Sequence, residues 1–254
     1  MKLQAIFDHL TAGEFSQLNI GGSGQGIIDD SNMDKVVSHI NLGLTDLFTR
    51  FELKLGRLTL KLQPDQTSYL LTSKAAVSKH KPTIPPADPA PVPYILDSST
   101  LPFKDDVLLI ERVLTDGDYE LPLNRLDVTY SLLTSSMNRL EVPLAIVNQS
   151  LTLPRALITT NLSVIYRSNH PVIDLNVGSG DPERIDVELP MSHLTALMYF
   201  VASRANNPVG LGQEFNAGNT YAVKYENECL RLKNDGMEIQ QRGNETKFEE
   251  RGFV

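Results

Sequence analysis

The hydrophobic period of the chain changes within residues 48–62, which read FTRFELKLGRLTLKL. Before Phe51, apolar residues recur every three or four positions, the spacing that keeps them on one face of an α-helix. Between Leu53 and Leu62, apolar residues are largely separated by single polar or small ones, the spacing of a half-buried strand. The stretch therefore predicts that the chain passes from a helix into a sheet, with a bulge or turn at Gly56.

The same helical spacing occurs at both ends of the chain. It predicts helices over residues 2–11, 31–51, 190–206 and 214–235. Ser31, followed by Asp34, is expected to cap the second helix. Gly236 supplies the left-handed residue that commonly follows a helix end.

Short strand-like segments occupy the middle of the chain. After the strand that ends at Leu62, strands are expected over residues 68–72, 107–115, 119–123, 127–133, 140–146 and 162–166. Asp116-Gly117 indicates a hairpin turn between two of them. Residues 82–93 contain six prolines and predict a rigid, extended connection inside the β domain. The alternative for that segment is a ligand for an aromatic groove on a partner.

The order of these segments predicts an α+β protein. Two helical hairpins cannot bury their apolar faces alone, so the terminal pairs are expected to form one four-helix bundle around an inserted β-sandwich or barrel-like domain. The expected parts are residues 1–51 and 187–236 for the bundle, 52–186 for the insertion and 237–254 for an extended C-terminal arm.

The composition is that of a folded, globular protein. The chain has 254 residues, 41% of them hydrophobic, which is enough for one large core or two smaller ones. With a single cysteine, Cys229, an extracellular disulfide scaffold is excluded. No stretch reaches the roughly 18 apolar residues of a membrane helix, and Asp8 and His9 stand where a signal peptide would be apolar. We therefore expect synthesis in the cytoplasm of a cell and no association with a membrane.

The charge argues against a protein that grips nucleic acid. The net charge is -8, from 31 acidic and 23 basic residues, and no block of lysine and arginine is present. A wall past which DNA slides without specific binding remains compatible with this charge.

A search for catalytic, cofactor and metal motifs favours structural explanations. The glycine-rich residues 21–26 lack the lysine and hydroxyl of a phosphate-binding loop, and a flexible connection between two helices is the preferred interpretation. Asp29-Asp30 and Asp105-Asp106 fit a helix start and a turn better than a carboxylate pair. The histidines show no metal-ligand spacing. They are His9, His39, His80, His170 and His193. Cys229 fits a small buried apolar residue. We expect no enzyme activity, no cofactor and no metal.

Two stretches resemble the head-to-tail adaptor, or connector, proteins of tailed bacteriophages, particularly the short-tailed ones. Residues 39–51, HINLGLTDLFTRF, look like the second adaptor helix leading into a β insertion. Residues 221–236, YAVKYENECLRLKNDG, with 248–254, FEERGFV, are similar to the last helix and terminal arm of such proteins.

The resemblance implies a non-catalytic virion subunit at the head-tail junction. It implies a closed homo-oligomeric ring, commonly twelvefold, below the portal protein, with DNA passing through it during ejection. The β domain would face tail tube, nozzle or tail-fibre proteins. The arm would dock onto the portal, and its anchors are expected to be Phe248, Arg251, Phe253 and Val254. The alternative is a β-domain binding module of a tail or baseplate that attaches another tail protein or a glycan.

Overall fold

The computed structural model describes residues 1–15, 28, 30–79, 92–176, 181–206 and 213–237. Within these residues the α-helices are α1 (Leu3–Ala12), α2 (Asp30–Arg50), α3 (Leu144–Val147), α4 (Leu194–Ala205) and α5 (Gln213–Asn234). The strands are β1 (Leu55–Lys61), β2 (Ser68–Leu70), β3 (Ile95–Leu96), β4 (Val107–Thr115), β5 (Glu120–Leu121), β6 (Leu133–Ser136), β7 (Arg139–Glu141) and β8 (Asn161–Ser168). The protein is a mixed α+β chain, as its sequence predicted, and the strands of its sheets are antiparallel.

The chain divides into two compact units, a helical unit of residues 1–53 and 172–254 and a β unit of residues 54–171. In the helical unit, α4 contacts α1, α2 and α5. Leu194, Leu197 and Val201 of α4 are buried, because they recur every three or four residues. The four helices predicted from the spacing are confirmed, although α4 begins at Leu194, after a short 3-10 turn.

The ends of the long helices differ in how well their sequences predicted them. Ser31 lies inside α2, so it is not the cap of that helix. At the other end, Gly236 has φ of +69°, and the Met237 amide donates to the Leu232 carbonyl at 3.1 Å. This bond satisfies a carbonyl that the end of a helix leaves free, and it confirms the predicted role of Gly236.

The helical unit includes residues that the sequence placed in the insertion. The expected boundary at residue 186 is wrong, since the unit resumes at Val172. Asn41 of α2 exchanges hydrogen bonds of 2.8 and 2.9 Å with the backbone of Ile173. The Leu3 amide donates to the Ile185 carbonyl at 3.0 Å. Residues 172–186 make these contacts through their backbone atoms. Such contacts need no periodic pattern of apolar side chains, so the sequence does not reveal them.

The β unit contains two antiparallel sheets, ordered β3-β1-β8-β4-β5 and β2-β7-β6. Both sheets contribute to a single cluster of buried residues, which includes Leu60, Val113 and Val164 from the larger sheet and Tyr69 and Leu140 from the smaller one. The larger sheet ends at β3 and β5 and does not close. The barrel-like alternative is therefore wrong for the described strands.

The central strand pair corrects the predicted bulge at Gly56. Pairing of β1 with β8 is regular from Leu55 to Lys61, and the irregularities lie in β4. Gly56 is opposite Tyr166, whose ring would lie 2.3 Å from a Cβ at that position. A glycine is present because the Tyr166 ring covers this backbone, and not because the strand bends.

Two predicted strands are wrong. Residues 127–131 form turns, in which the Ser131 amide donates to the Val128 carbonyl, and the strand there runs over Leu133–Ser136. Within 140–146, strand pairing stops at Glu141, because Pro143 has no N–H to donate and begins the short helix α3. The hairpin between β4 and β5 is confirmed, with its left-handed residue at Asp118.

Candidate functional site

The residues expected to dock onto a portal lie outside the described residues. They are Phe248, Arg251, Phe253 and Val254. The same holds for the glycine-rich residues 21–26, for Asp29, for His80 and for residues 82–91 of the proline-rich segment. The described residues offer two other surfaces, a polar cleft on the helical unit and one face of the larger sheet.

The polar cleft lies between α2, α4 and α5 and has a volume of about 400 Å³. On its α2 side, the guanidinium of Arg50 donates two hydrogen bonds, of 2.7 and 2.8 Å, to the Glu226 carboxylate. Its Nε lies 2.8 Å from Asp46, which also accepts a hydrogen bond from the Tyr225 hydroxyl. A two-pronged pair of this kind fixes the side chains as well as attracting them. The carboxylates of Asp46 and Glu226 therefore hold α5 against α2.

The charges in this cleft shift the pKa values of its members. The hydrogen bond from Arg50 lowers the pKa of Glu226. Burial raises the pKa of Tyr225, and its hydrogen bond to Asp46 adds to that effect. Burial also raises the pKa of the Cys229 thiol. A protonated tyrosine and a protonated thiol are poor nucleophiles, so this cluster fits a structural role.

His39 of α2 is half-buried, and His193, in the 3-10 turn before α4, is buried. His193 is 1% exposed, packs edge-on against Phe51 at 4.8 Å, and pairs through Nδ1 with the Ser192 hydroxyl. Among the described residues, its Nε2 has no hydrogen-bond partner, and neither has Nδ1 of His39. Burial lowers the pKa of both rings, and the charge of Arg204 lowers that of His39 further. Both therefore favour the neutral form at pH 7.

The paired aspartates of the β unit hold loops. Asp105 accepts a hydrogen bond from the Ser73 amide. Asp106 accepts from the Tyr166 hydroxyl at 3.1 Å and from the Ser168 hydroxyl. The two carboxylates bind different segments, and they do not converge on one site. Within the described ranges, no group of three or more potential ligands could hold a metal ion.

The outer face of the five-stranded sheet concentrates cations on three adjacent strands. Arg57 on β1 and Arg112 on β4 both pair with Ile165 of β8, so they flank it on the same face. Arg167 is two residues further along β8, and Lys61 is four residues beyond Arg57, so both share that face. We call Arg57, Lys61, Arg112 and Arg167 the arginine face.

Two of these cations have carboxylate partners and one has a neutral partner. Arg167 pairs with Glu111, and Arg112 lies 3.7 Å from Glu120. Nε of Arg57 donates to the Ser163 hydroxyl at 2.6 Å. Among the described residues, no carboxylate lies within ion-pair distance of Arg57.

Apolar side chains are interspersed with the cations. Leu55, Leu96 and Leu109 are 38%, 41% and 37% exposed on the same face. Leu55 is exposed although Leu58 and Leu60 of the same strand are buried, because its register is that of Arg57. Alternation of Leu55, Arg57, Thr59 and Lys61 was a visible signal, but the order of the strands was needed to bring in Arg112 and Arg167.

No family model matches the chain, and no curated protein matches it. Across the part of the chain that the structure covers, no helix is long and apolar enough to span a membrane.

Proposed function

We propose that the chain is a non-catalytic adaptor subunit of a tailed bacteriophage, which forms a closed ring below the portal and joins head to tail. The observation that carries this proposal is the order of the two units. Residues from both ends of the chain make one helical unit, and the β unit is inserted between them. The resemblance at residues 39–51 and 221–236 implies this arrangement for an adaptor.

The finer architecture belongs to the same proposal. Contacts of α4 with α1, α2 and α5 support a four-helix bundle, because a central helix with three neighbours buries apolar residues around most of its surface. The core shared by the two sheets supports a sandwich-like insertion. The C-terminal arm, with Phe248, Arg251, Phe253 and Val254, would dock onto the portal, and the ring would admit DNA without binding a specific sequence.

The described polar clusters support a structural role. Asp116 illustrates this, because its carboxylate accepts hydrogen bonds from the amides of Thr160 and Asn161, both at 3.1 Å, and from the Thr159 hydroxyl at 3.0 Å. Burial would raise the pKa of Asp116, but these hydrogen bonds outweigh it and hold the pKa below its usual value. A carboxylate so engaged fastens the β4–β5 turn to the start of β8 and is not free to transfer protons.

The aromatic residues of the β unit weigh against the alternative of a glycan-binding module. Sugar rings usually stack on exposed aromatic faces, but Tyr69, Phe103 and Tyr166 are buried in the core. Tyr119 is 49% exposed, and no second exposed aromatic ring accompanies it among the described residues of the unit.

The decisive experiment is electron microscopy of phage particles that carry a labelled copy of this chain. The label is expected at the head-tail junction, in a ring that surrounds the DNA passage, and virion localisation follows from it. Particles assembled without the chain should hold DNA-filled heads that lack tails. Label at the tail tip, in a single copy, or along a tail tube would contradict the proposal and favour the binding module.

A further inference from the structure

The charge of the chain is unevenly divided between its two units. Residues 54–171 contain twelve lysines and arginines and eleven acidic residues, a net charge of +1. The remaining residues contain eleven basic and twenty acidic residues, a net charge of -9. Between two copies of this chain, the repulsion of the net charges is therefore least when the β unit of one faces the helical unit of the other.

The arginine face is the place on the β unit where positive charge concentrates. Arg57 and Arg112 lie two strand spacings apart, roughly 10 Å, on either side of Ile165. Only two carboxylates, Glu111 and Glu120, accompany the four cations in the described ion pairs of this face. Arg57 is exposed and has the neutral Ser163 hydroxyl as its partner. A guanidinium in this state retains donors for a carboxylate from outside the chain.

The helical unit presents a matching acidic segment. Residues 181–188 read DPERIDVE, with four carboxylates and one arginine. Val187 is buried while its neighbours Asp186 and Glu188 are exposed, so these two carboxylates are on the same side of an extended chain, roughly 7 Å apart. Glu183 is exposed, and among the described residues it has no ion pair.

Backbone hydrogen bonds hold this acidic segment in place. The Val187 amide donates to the Met1 carbonyl at 2.7 Å, and the terminal amine of Met1 donates back to the Val187 carbonyl at 2.9 Å. Lys2 pairs with Asp186 at 2.9 Å. Because the backbone is already ordered, binding of a partner loses no conformational entropy in ordering it.

We propose that the arginine face of one copy binds the acidic segment, residues 181–188, of a second copy of this chain. The contact joins different surfaces of identical subunits, which is the kind of contact that closes a ring by rotation. The inference rests on the proposed function, because this contact is the one that would join neighbouring copies in the ring.

Protein is the better partner for this face than nucleic acid. Leu55, Leu96 and Leu109 lie among the cations, and apolar side chains gain nothing beside phosphates. Protein interfaces combine arginine with apolar area of this kind. The described strands of this sheet also carry no exposed aromatic residue on which unpaired bases could stack.

Carbodiimide cross-linking tests the contact directly, since this reagent joins a lysine amine to a carboxylate that touches it. Equal amounts of unlabelled and ¹⁵N-labelled full chain are mixed and cross-linked, both free at high concentration and in assembled particles. We expect peptides that join Lys61 of one isotope to Glu183, Asp186 or Glu188 of the other.

Charge exchange tests whether the contact drives association. Arg57→Glu is expected to weaken self-association about tenfold, because it places like charges opposite each other. Adding Glu183→Arg to that variant should restore association to within about threefold of the unchanged chain. Arg155→Glu is the matched control, since it makes the same charge change at an exposed site of the β unit outside this face. Arg57→Gln, with a melting curve for each variant, separates a lost contact from a lost fold.

The outcomes separate this inference from the proposed function. Rings at the head-tail junction with no Lys61 cross-link to the segment, and with Arg57→Glu assembling like Arg155→Glu, would overturn the inference alone. Cross-links between Lys61 of one isotope and the acidic segment of the other, without any ring on particles, would support the contact and overturn the proposed function. A third outcome is that the unchanged chain binds duplex DNA without self-associating and that Arg57→Glu loses this binding. That outcome would overturn the inference in favour of a nucleic-acid face.

Discussion

His193 shows how a buried histidine links the stability of the helical unit to pH. Its ring is almost fully buried, Nε2 has no hydrogen-bond partner within the described part of the chain, and burial lowers its pKa. Glu228 opposes this effect without reversing it. His39 has a lowered pKa for the same reason, with Arg204 adding to it. In the unfolded chain both rings would titrate near 6.5, so below that pH the unfolded state binds more protons.

We predict that the free energy of unfolding is highest above pH 6.5 and falls as the pH drops below it. The loss is at most about 1.4 kcal/mol per pH unit for each histidine, until the pH reaches the lowered pKa of the folded state. Urea unfolding at pH 7.5 and 5.5 measures this slope. His193→Gln should reduce the slope, whereas His9→Gln, at an exposed position of α1, should retain it. An unchanged slope in His193→Gln would show that other groups cause the pH dependence.

Gly218 provides a second prediction at the level of a single residue. A Cβ there would lie 2.4 Å from the Asn206 carbonyl oxygen, which is backbone and cannot rotate away. Alanine favours a helix interior by about 1 kcal/mol over glycine, yet we expect Gly218→Ala to lower the free energy of unfolding by about 1–3 kcal/mol through this clash. Chemical denaturation is the measurement, and Asn219→Ala, on the same helix but exposed, is the control expected to show no loss.

Among the elements, β8 organises the β unit because it pairs with both β1 and β4. Its alternate residues Leu162, Val164 and Tyr166 are buried, and their neighbours Ser163 and Ile165 are on the arginine face. The regular alternation gives one strand a part in the core and a part in the outer surface. The start of β8 is fastened by the Asp116 carboxylate.

Asp116→Ala is expected to lower the stability of the β unit by about 1 kcal/mol, less than is usual for charged hydrogen bonds because the carboxylate is open to solvent. Amide exchange at Thr160, just before β8, and at Asn161 should accelerate more than exchange in the rest of β8, since these two amides lose their acceptor. Asp127→Ala is the control, because that carboxylate is exposed and pairs within its own loop with Arg125. Equal acceleration of this amide exchange in Asp116→Ala and Asp127→Ala would contradict the role of Asp116 in fastening the start of β8.

At the scale of the whole molecule, the structure separates an acidic helical unit from a β unit of almost neutral charge. The last described residue, Met237, completes the end of α5 through its bond to the Leu232 carbonyl. Removal of residues 238–254 therefore leaves every described helix with its end intact. That truncation separates the folding of the chain from the docking proposed for its arm.

We predict that the truncated chain melts within about 2 °C of the full chain, because the removed arm is rich in charged and amide residues and has little apolar surface to bury. Its attachment to DNA-filled heads should be abolished, since Phe248, Arg251, Phe253 and Val254 are absent. Phe248→Ala with Phe253→Ala, in a chain of full length, should reproduce that loss and so excludes an effect of length. Normal occupancy of heads by the truncated chain would move the docking site elsewhere on the protein.

The sequence by itself determined the helices, the order of the units and the charge. Helices over Leu3–Ala12, Asp30–Arg50, Leu194–Ala205 and Gln213–Asn234 follow from local apolar spacing, which is readable because a helix satisfies its own backbone hydrogen bonds. The strand over Val107–Thr115 was predicted with the same bounds, because its nine residues give a long pattern. Gly236 was predictable because few other residues adopt positive φ at a helix end.

Only the tertiary structure decided which strands are neighbours and which residues share a surface. Strand pairs are formed between distant parts of the chain, so Arg57, Arg112 and Arg167 come together through the order β1-β8-β4 and not through their spacing. The assignment of residues 172–186 to the helical unit depends on backbone bonds with Asn41 and Leu3, which leave no periodic pattern. The role of Gly56 depends likewise on the Tyr166 ring, 110 positions further along the chain.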